Sequence, residues 1–478
     1  MKNRGKVPAL LTALMIASVA TVGVGPAAAQ NRDLLAKLQP KPPPSKPNII
    51  FILADDLGYG DLGCYGQKLI KTPNLDRLAA EGMRFTSFYA GSTVCAPSRA
   101  VLMTGQHTGH CLVRGNAKVP LRPGDVTVAE VLKSAGFATL AIGKWGLGTE
   151  DTTGAPNRKG FDDWFGYLDQ IHAHDYYPTN LWRNERQWPL IRNANAQKGE
   201  YSHDFFTRAA LNGLRLNQDK PFFLYLAYTI PHANNELGAK TGNGMEVPTD
   251  KPYSNEDWPQ PEKNKAAMIT RLDADIGKLL DKLKELKMDE RTLIFFSSDN
   301  GPHKEGGIDP KFFHSSGPLR GIKRDLYEGG IRVPMLVRWP GKIKAGATND
   351  EPWAFWDFLP TAAEIAGVKP PKDIDGVSFL PTLLDQKQTN RHAFFYWEFH
   401  EKGSKQAVRM GDWKAVRLAP GKPLELYNLK TDLGETTNVA EHHPELVAKV
   451  EEYLRTARTE SAEWPLKPPP EEKPKESK

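Results

Sequence analysis

Cysteine is nearly absent: Cys64, Cys95 and Cys111 are the only three in 478 residues. That excludes a disulfide-stapled scaffold, which a chain long enough to bury a sizeable core does not need. Long apolar runs are missing after residue 29, so no later stretch has the length to span a bilayer. No charge sign dominates, with 63 Lys and Arg against 57 Asp and Glu. No dense basic run is interleaved with aromatics, which argues against nucleic acid as a partner. No internal repeat recurs. What is present, 41 glycines and 38 prolines with 40% hydrophobic residues, is the mix of a globular protein rich in loops.

The N-terminus holds the one long apolar stretch. Lys2, Arg4 and Lys6 precede an apolar run from Val7 to Val24 and a small-residue site at Ala27-Ala28-Ala29. This is the pattern of a cleaved export signal over residues 1–29, and Pro8, Gly23 and Gly25 weigh against an uncleaved anchor. Its removal lowers the formal charge from +6 to +3. An anionic ligand would then be held by a few placed cations. The expected product is exported, periplasmic or secreted, without stable membrane insertion. With Cys95 committed to chemistry, Cys64 and Cys111 remain as a candidate disulfide.

Residues 30–46 form a proline-rich leader. Asn48 to Ala54 is an unbroken apolar run, as expected of a strand buried on both faces of a mostly parallel sheet, and it ends in Asp55-Asp56. The pattern recurs: Phe137 to Ile142 runs into Gly143-Lys144, Pro221 to Tyr228 into Pro231-His232, and Thr292 to Phe296 into Asp299-Asn300. Helical stretches separate these runs, with Thr72 to Gly82 and 265–286 the best marked. Apolar strands with polar ends and intervening helices predict an α/β fold with its chemistry along one sheet edge. After Asp385 the strands become short and joined by tight turns, and a helix follows from Pro444 to about Arg458. The predicted division is therefore a catalytic domain over 47–385, a small α+β domain over 386–463 and a disordered tail over 464–478.

The strand-end groups include Asp55, Asp56, Asp299 and Asn300, three carboxylates and an amide oxygen. Hard oxygen donors of this kind suit Ca²⁺, and Mg²⁺ less well, over zinc. Lys144, His232 and Lys323 stand at similar positions. Two lysines and an arginine beside a divalent ion would suit a sulfate or phosphate monoester.

Cys95-Ala96-Pro97-Ser98-Arg99-Ala100-Val101-Leu102-Met103-Thr104-Gly105 organises the rest. Pro97 suits a first helical turn, so Cys95 is predicted at a helix N-terminus with Arg99 one turn on. The string resembles the first signature of the sulfatases, with Leu102 one place early, and the likeness extends over most of residues 47–465. The resemblance implies an alkaline-phosphatase-like α/β domain with a mixed, mostly parallel sheet flanked by helices. A small C-terminal domain with a four-stranded antiparallel sheet would follow. It also implies that a maturation enzyme oxidises Cys95 to formylglycine. The hydrate of that aldehyde would attack sulfur and then collapse to release sulfate. By the same resemblance, Asp55, Asp56, Asp299 and Asn300, with Cys95, surround calcium. Arg99 steadies Cys95, Lys144, His232 and Lys323 bind sulfate and the leaving group, and His232 protonates the leaving oxygen. The substrate would be a sulfated carbohydrate or an aryl sulfate.

One position departs from the family. The second signature commonly reads Gly-Lys-Trp-His-Leu-Gly, whereas Gly146 stands at the histidine place here. His107, His110, His303 and His314 are candidates to replace it, with His303 favoured for following Asp299-Asn300. The loop His172-Ala173-His174-Asp175-Tyr176-Tyr177 is a candidate substrate rim, to which His303 is added. Two other readings stay open: a phosphonate or phosphate ester hydrolase of the same superfamily, and an inactive homologue that binds sulfated glycans.

Overall fold

The computed structural model describes residues 45–469, so the expected signal, most of the leader and the end of the tail lie outside it. Its main sheet contains β1 (Asn48–Ala54), β2 (Met83–Tyr89), β3 (Ala138–Lys144), β4 (Asp163–Tyr167), β5 (Asn180–Arg183) and β6 (Arg186–Pro189). To these it adds β7 (Phe222–Ala227), β8 (Thr292–Ser298), β9 (Arg332–Arg338), β10 (Ala347–Asn349) and β11 (Trp353–Ala354). The order is β10-β2-β9-β8-β1-β7-β3-β4-β5-β6, with β11 also beside β2. The five strands from β8 to β4 are parallel, and β9 runs against both of its neighbours. The sheet is thus mixed and mostly parallel.

Register fixes where the chemistry falls. Ala54 pairs with Ser298, Leu53 with Ala227, and Ala227 with Gly143. The carboxyl ends of four adjacent strands are level, and the next residues include Asp55, Asp299 and Lys144. Along β1, Ile49, Phe51 and Leu53 enter one core and Ile50, Ile52 and Ala54 the other. Burial on both faces explains why β1 reads as a continuous apolar run. The two cores also correct one expectation: Cys64 and Cys111 are free, not paired. Cys111 sits in the core with Phe51 and Cys64 packs against the core with Ile50, so the sheet stands between them.

The second sheet is antiparallel, in the order β12 (Phe395–Phe399), β13 (Lys405–Met410), β14 (Trp413–Arg417) and β15 (Glu425–Asn428). Its strand residues Phe395, Trp397 and Phe399 join the core with Phe51, and Trp397 Nε1 donates to Ala90 O at 3.0 Å. On its other face Tyr396, Val408 and Leu426 receive Val450 and Leu454 from the helix Pro444–Thr456. A buried ionic knot also links the sheets: Lys414 Nζ lies 2.9 Å from Glu328 Oε1 and 3.4 Å from Glu435 Oε1. Glu328 Oε2 accepts from Tyr89 and Arg332.

The tail expected to be disordered from 464 is held at its start. Trp464 is buried beside Gly115 and His400, and the Ser404 amide donates to Lys467 O at 2.8 Å. One large apolar side chain is enough to dock this segment despite its polar composition. Among the described residues no helix is long and apolar enough to cross a membrane.

Candidate active site

The helix Cys95–Thr104 starts at Cys95 itself and all ten of its residues are buried. Gly105, at φ +71°, closes it with a left-handed residue, as a glycine permits. Cys95 Sγ lies 3.5 Å from Asp55 Oδ1. One turn further, Arg99 donates from Nε and Nη2 to Asp299 Oδ2 at 3.1 and 2.7 Å, and from Nη1 to Lys144 O at 2.8 Å. Lys144 Nζ reaches Asp55 Oδ2 at 2.7 Å, and Lys323 Nζ reaches Asp56 Oδ2 at 2.7 Å. Asn300 Nδ2 donates to Asp56 Oδ1 at 2.6 Å. The structure therefore brings together Asp55, Asp56, Cys95, Arg99, Lys144, His232, Asp299, Asn300 and Lys323, from segments up to 268 residues apart in sequence.

Three carboxylates share this buried space. Burial raises the Asp55 carboxyl, but Lys144, His232 and Arg99 outweigh it and hold the group well below the ordinary range. Burial and then Asp55 push Asp299 up, against Arg99. That repulsion is the condition in which a cation is bound. The donor set fits a hard divalent ion: Asn300 Oδ1 is a buried acceptor without a hydrogen-bond partner, among carboxylate oxygens. Asp56, at φ +65°, adopts a left-handed backbone that aspartate tolerates better than most residues. Burial and Asp55 push the Cys95 thiol up to about 12, so as a plain thiol it is a poor nucleophile near neutrality.

His232 Nδ1 donates to Ala233 O at 2.6 Å, leaving Nε2 as the acceptor for Lys323 Nζ at 3.3 Å. Burial and Lys323 hold the imidazole pKa well below its usual value, so the ring is neutral. His174 and His303 both stack against it, with ring centroids 4.9 and 5.9 Å away. His174 Nδ1 also donates to Glu236 Oε2 at 2.9 Å.

His172 does not join them; it lies edge-on to Tyr167. None of the histidines expected to substitute at position 146 lines the cavity at Gly146. His107 and His110 pack together around Asp375, past the C-terminal end of the Cys95 helix. His314 is exposed, and His303 Nε2 is occupied by Pro231 O at 3.1 Å. A group that sequence reading missed fills the place: a Cβ on Gly146 would lie 2.0 Å from Gln170 Nε2. The missing histidine was the signal, since a vacated volume in a packed protein is normally refilled.

The Sulfatase family model matches residues 47–368, which include the whole buried cluster from Asp55 to Lys323. The chain belongs to the sulfatase family. It is a sulfuric ester hydrolase by that membership, and a model of the C-terminal region of N-sulphoglucosamine sulphohydrolase matches residues 322–460 of this sulfatase. The N-acetylgalactosamine-6-sulfatase of Sus scrofa is 33% identical over 400 residues, 78% of this chain and 72% of the relative. The solved structure of Ps i-CgsB in complex with k-i-k-neocarrahexaose superposes with a TM-score of 0.75 at 30% identity, covering 88% of this chain and 95% of that one. BT4656, solved with its substrate D-glucosamine-2-N,6-O-disulfate, gives a TM-score of 0.67 at 25% identity, covering 86% and 98%.

Proposed function

We propose that this sulfatase is exported and removes sulfate from a sulfated carbohydrate, with Cys95 converted to formylglycine and calcium held by Asp55, Asp56, Asp299 and Asn300. The observation that carries the reading is the meeting of Cys95 with an orphaned amide oxygen, three carboxylates and three fixed cations in one buried site. The carbohydrate substrate is supported by relatives whose names and complexes are those of sugar sulfatases. Export follows from the basic, apolar and small-residue pattern of residues 1–29.

When present, the aldehyde hydrate would supply a nucleophilic hydroxyl and an internal route for sulfate release, and a calcium ion held by Asp55, Asp56, Asp299 and Asn300 would supply Lewis-acid polarisation. The chain's own residues do the rest. Arg99 fixes Asp299 relative to the Cys95 helix, so nucleophile and cation ligands move as one body. Lys144 and Lys323, anchored on Asp55 and Asp56, present positive charge to the sulfuryl oxygens. On the leaving side, His232 holds a proton on Nδ1 toward Ala233 O, and its Nε2 needs a proton from a neighbour before it can pass one to the leaving oxygen. The ammonium of Lys323, 3.3 Å from Nε2, is the proton source for the departing oxygen, directly or through His232.

Matched sulfate, phosphate and phosphonate esters assayed with wild type and Cys95→Ala test the reading. Sulfate esters should be the preferred substrates and lose turnover in the variant. Phosphate or phosphonate turnover that dominates and survives the substitution would show the reading to be wrong.

A further inference from the structure

Gly146 has φ +79°, a conformation that side chains rarely adopt, and its would-be Cβ position is taken by the Gln170 carboxamide. Both polar atoms of that carboxamide, Nε2 and Oε1, are buried and have no hydrogen-bond partner in the protein. Native structures seldom leave a buried amide wholly unpaired, and where they do a ligand is one physical reason.

Gln170 lines a cavity of about 160 Å³ together with Asn116, Lys118, Asp169, Leu168 and Ile171. At ~30 Å³ per water, this is space for roughly five waters, the scale of one small ring. It adjoins the reacting centre on two sides. Asn116 Oδ1 accepts from the Ala96 amide at 2.9 Å, next to Cys95. Gly146 follows Lys144 by two residues, and Lys144 is tied to Asp55.

We propose that Gln170 is a specificity-determining residue that binds the sugar ring carrying the scissile sulfate. The inference rests on the carbohydrate reading given above and deepens it. A pyranose has an apolar C–H face and an edge of hydroxyls that both donate and accept. Leu168 and Ile171 line the cavity for the face, and the Gln170 carboxamide, turned from its buried position into the cavity, would give the edge paired donors and an acceptor. A carboxamide does not titrate, so it holds the ring without moving a proton. The 146 position has thereby passed from a titratable group to a recognition group supplied by the 168–176 loop, which also brings His174 onto His232.

The test is kcat/KM on a panel of sulfated monosaccharides and on 4-nitrophenyl sulfate, which lacks a hydroxylated ring. Wild type, Gln170→Ala and Gln170→Glu are compared, with thermal melts to confirm folding; the Glu variant keeps the side-chain volume if Ala does not fold. The ratio of sugar to aryl kcat/KM should fall roughly 10- to 100-fold in both variants, mainly through KM. Gly146→Ala, which must displace the carboxamide, should shift the ratio in the same direction. A wild type active on sugar sulfates whose ratio stays unchanged in the variants, whether kcat/KM holds or falls equally for both esters, overturns the assignment of Gln170 alone. A wild type that cleaves the aryl ester and no sugar sulfate overturns the carbohydrate reading and this inference with it.

Discussion

Arg99 directs two nitrogens, Nε and Nη2, at a single carboxylate oxygen of Asp299, at 3.1 and 2.7 Å, and both side chains are fully buried. This pair rivets the helix that begins with Cys95 to the end of β8. Removing the arginine would leave an uncompensated buried charge, a change that costs about 3–5 kcal/mol. Arg99→Ala should therefore lose both stability and activity, the first read by urea unfolding and the second by sulfate release. Arg99→Lys keeps the charge and loses the fork, so stability should recover more than activity does. Equal recovery of both would contradict a positioning role.

The hard-oxygen site predicts dependence on a divalent cation. Chelation should abolish activity, and Ca²⁺ should restore it better than Zn²⁺. Because the ion binds the folded state, saturation at about 100 times Kd should stabilise the protein by about 2.7 kcal/mol. Asn300→Ala removes one oxygen donor and should raise the Ca²⁺ concentration needed for that thermal shift. A melting temperature indifferent to Ca²⁺ in the wild type would contradict the site.

Acid should destabilise the fold through His107. Burial lowers its pKa to about 4, against the opposing pull of Asp375, and its Nδ1 accepts from the Gly109 amide, which fixes a neutral ring. The depressed pKa means that the unfolded chain takes up the proton first. Stability is therefore complete above about pH 6.5 and falls as pH drops toward 4, by about 3 kcal/mol from this group. Urea unfolding between pH 7 and 4.5 measures the slope. His107→Gln should flatten it, and a variant with the wild-type slope would place the acid sensitivity elsewhere.

Lys414 joins the two sheets, with Glu328 and Glu435 around its ammonium and no exposure to water. Burial and Glu328 push Glu435 up, whereas burial is outweighed by Lys414, Arg332 and Arg409 at Glu328, which stays ionised. Lys414→Met would leave the Glu328 charge to Arg332 and Arg409 without its closest lysine and should cost about 3–5 kcal/mol. A loss under about 1 kcal/mol, measured by denaturant unfolding, would show that the knot does not hold the second sheet in place.

The strands that carry the site were legible because they are buried on both faces. β1, β3, β7 and β8 read as apolar runs, and a polar residue directly after such a run has to be held by something. Asp55, Lys144, His232 and Asp299 were visible for that reason. Gln170 was not, because it lies in an aperiodic loop and its importance depends on the side chain that Gly146 lacks. Likewise the separation of Cys64 from Cys111 is a matter of which sheet face each element packs on, and spacing carries no such information. The docking of Trp464 depends on a gap beside Gly115 that composition cannot show.

The central claim is that the working nucleophile is made from Cys95, and mass spectrometry of the peptide spanning it tests this most directly. In protein purified from its native host and active on sulfate esters, the account predicts the mass of an aldehyde in place of a thiol at position 95. A full complement of unmodified Cys95 in active enzyme would contradict it.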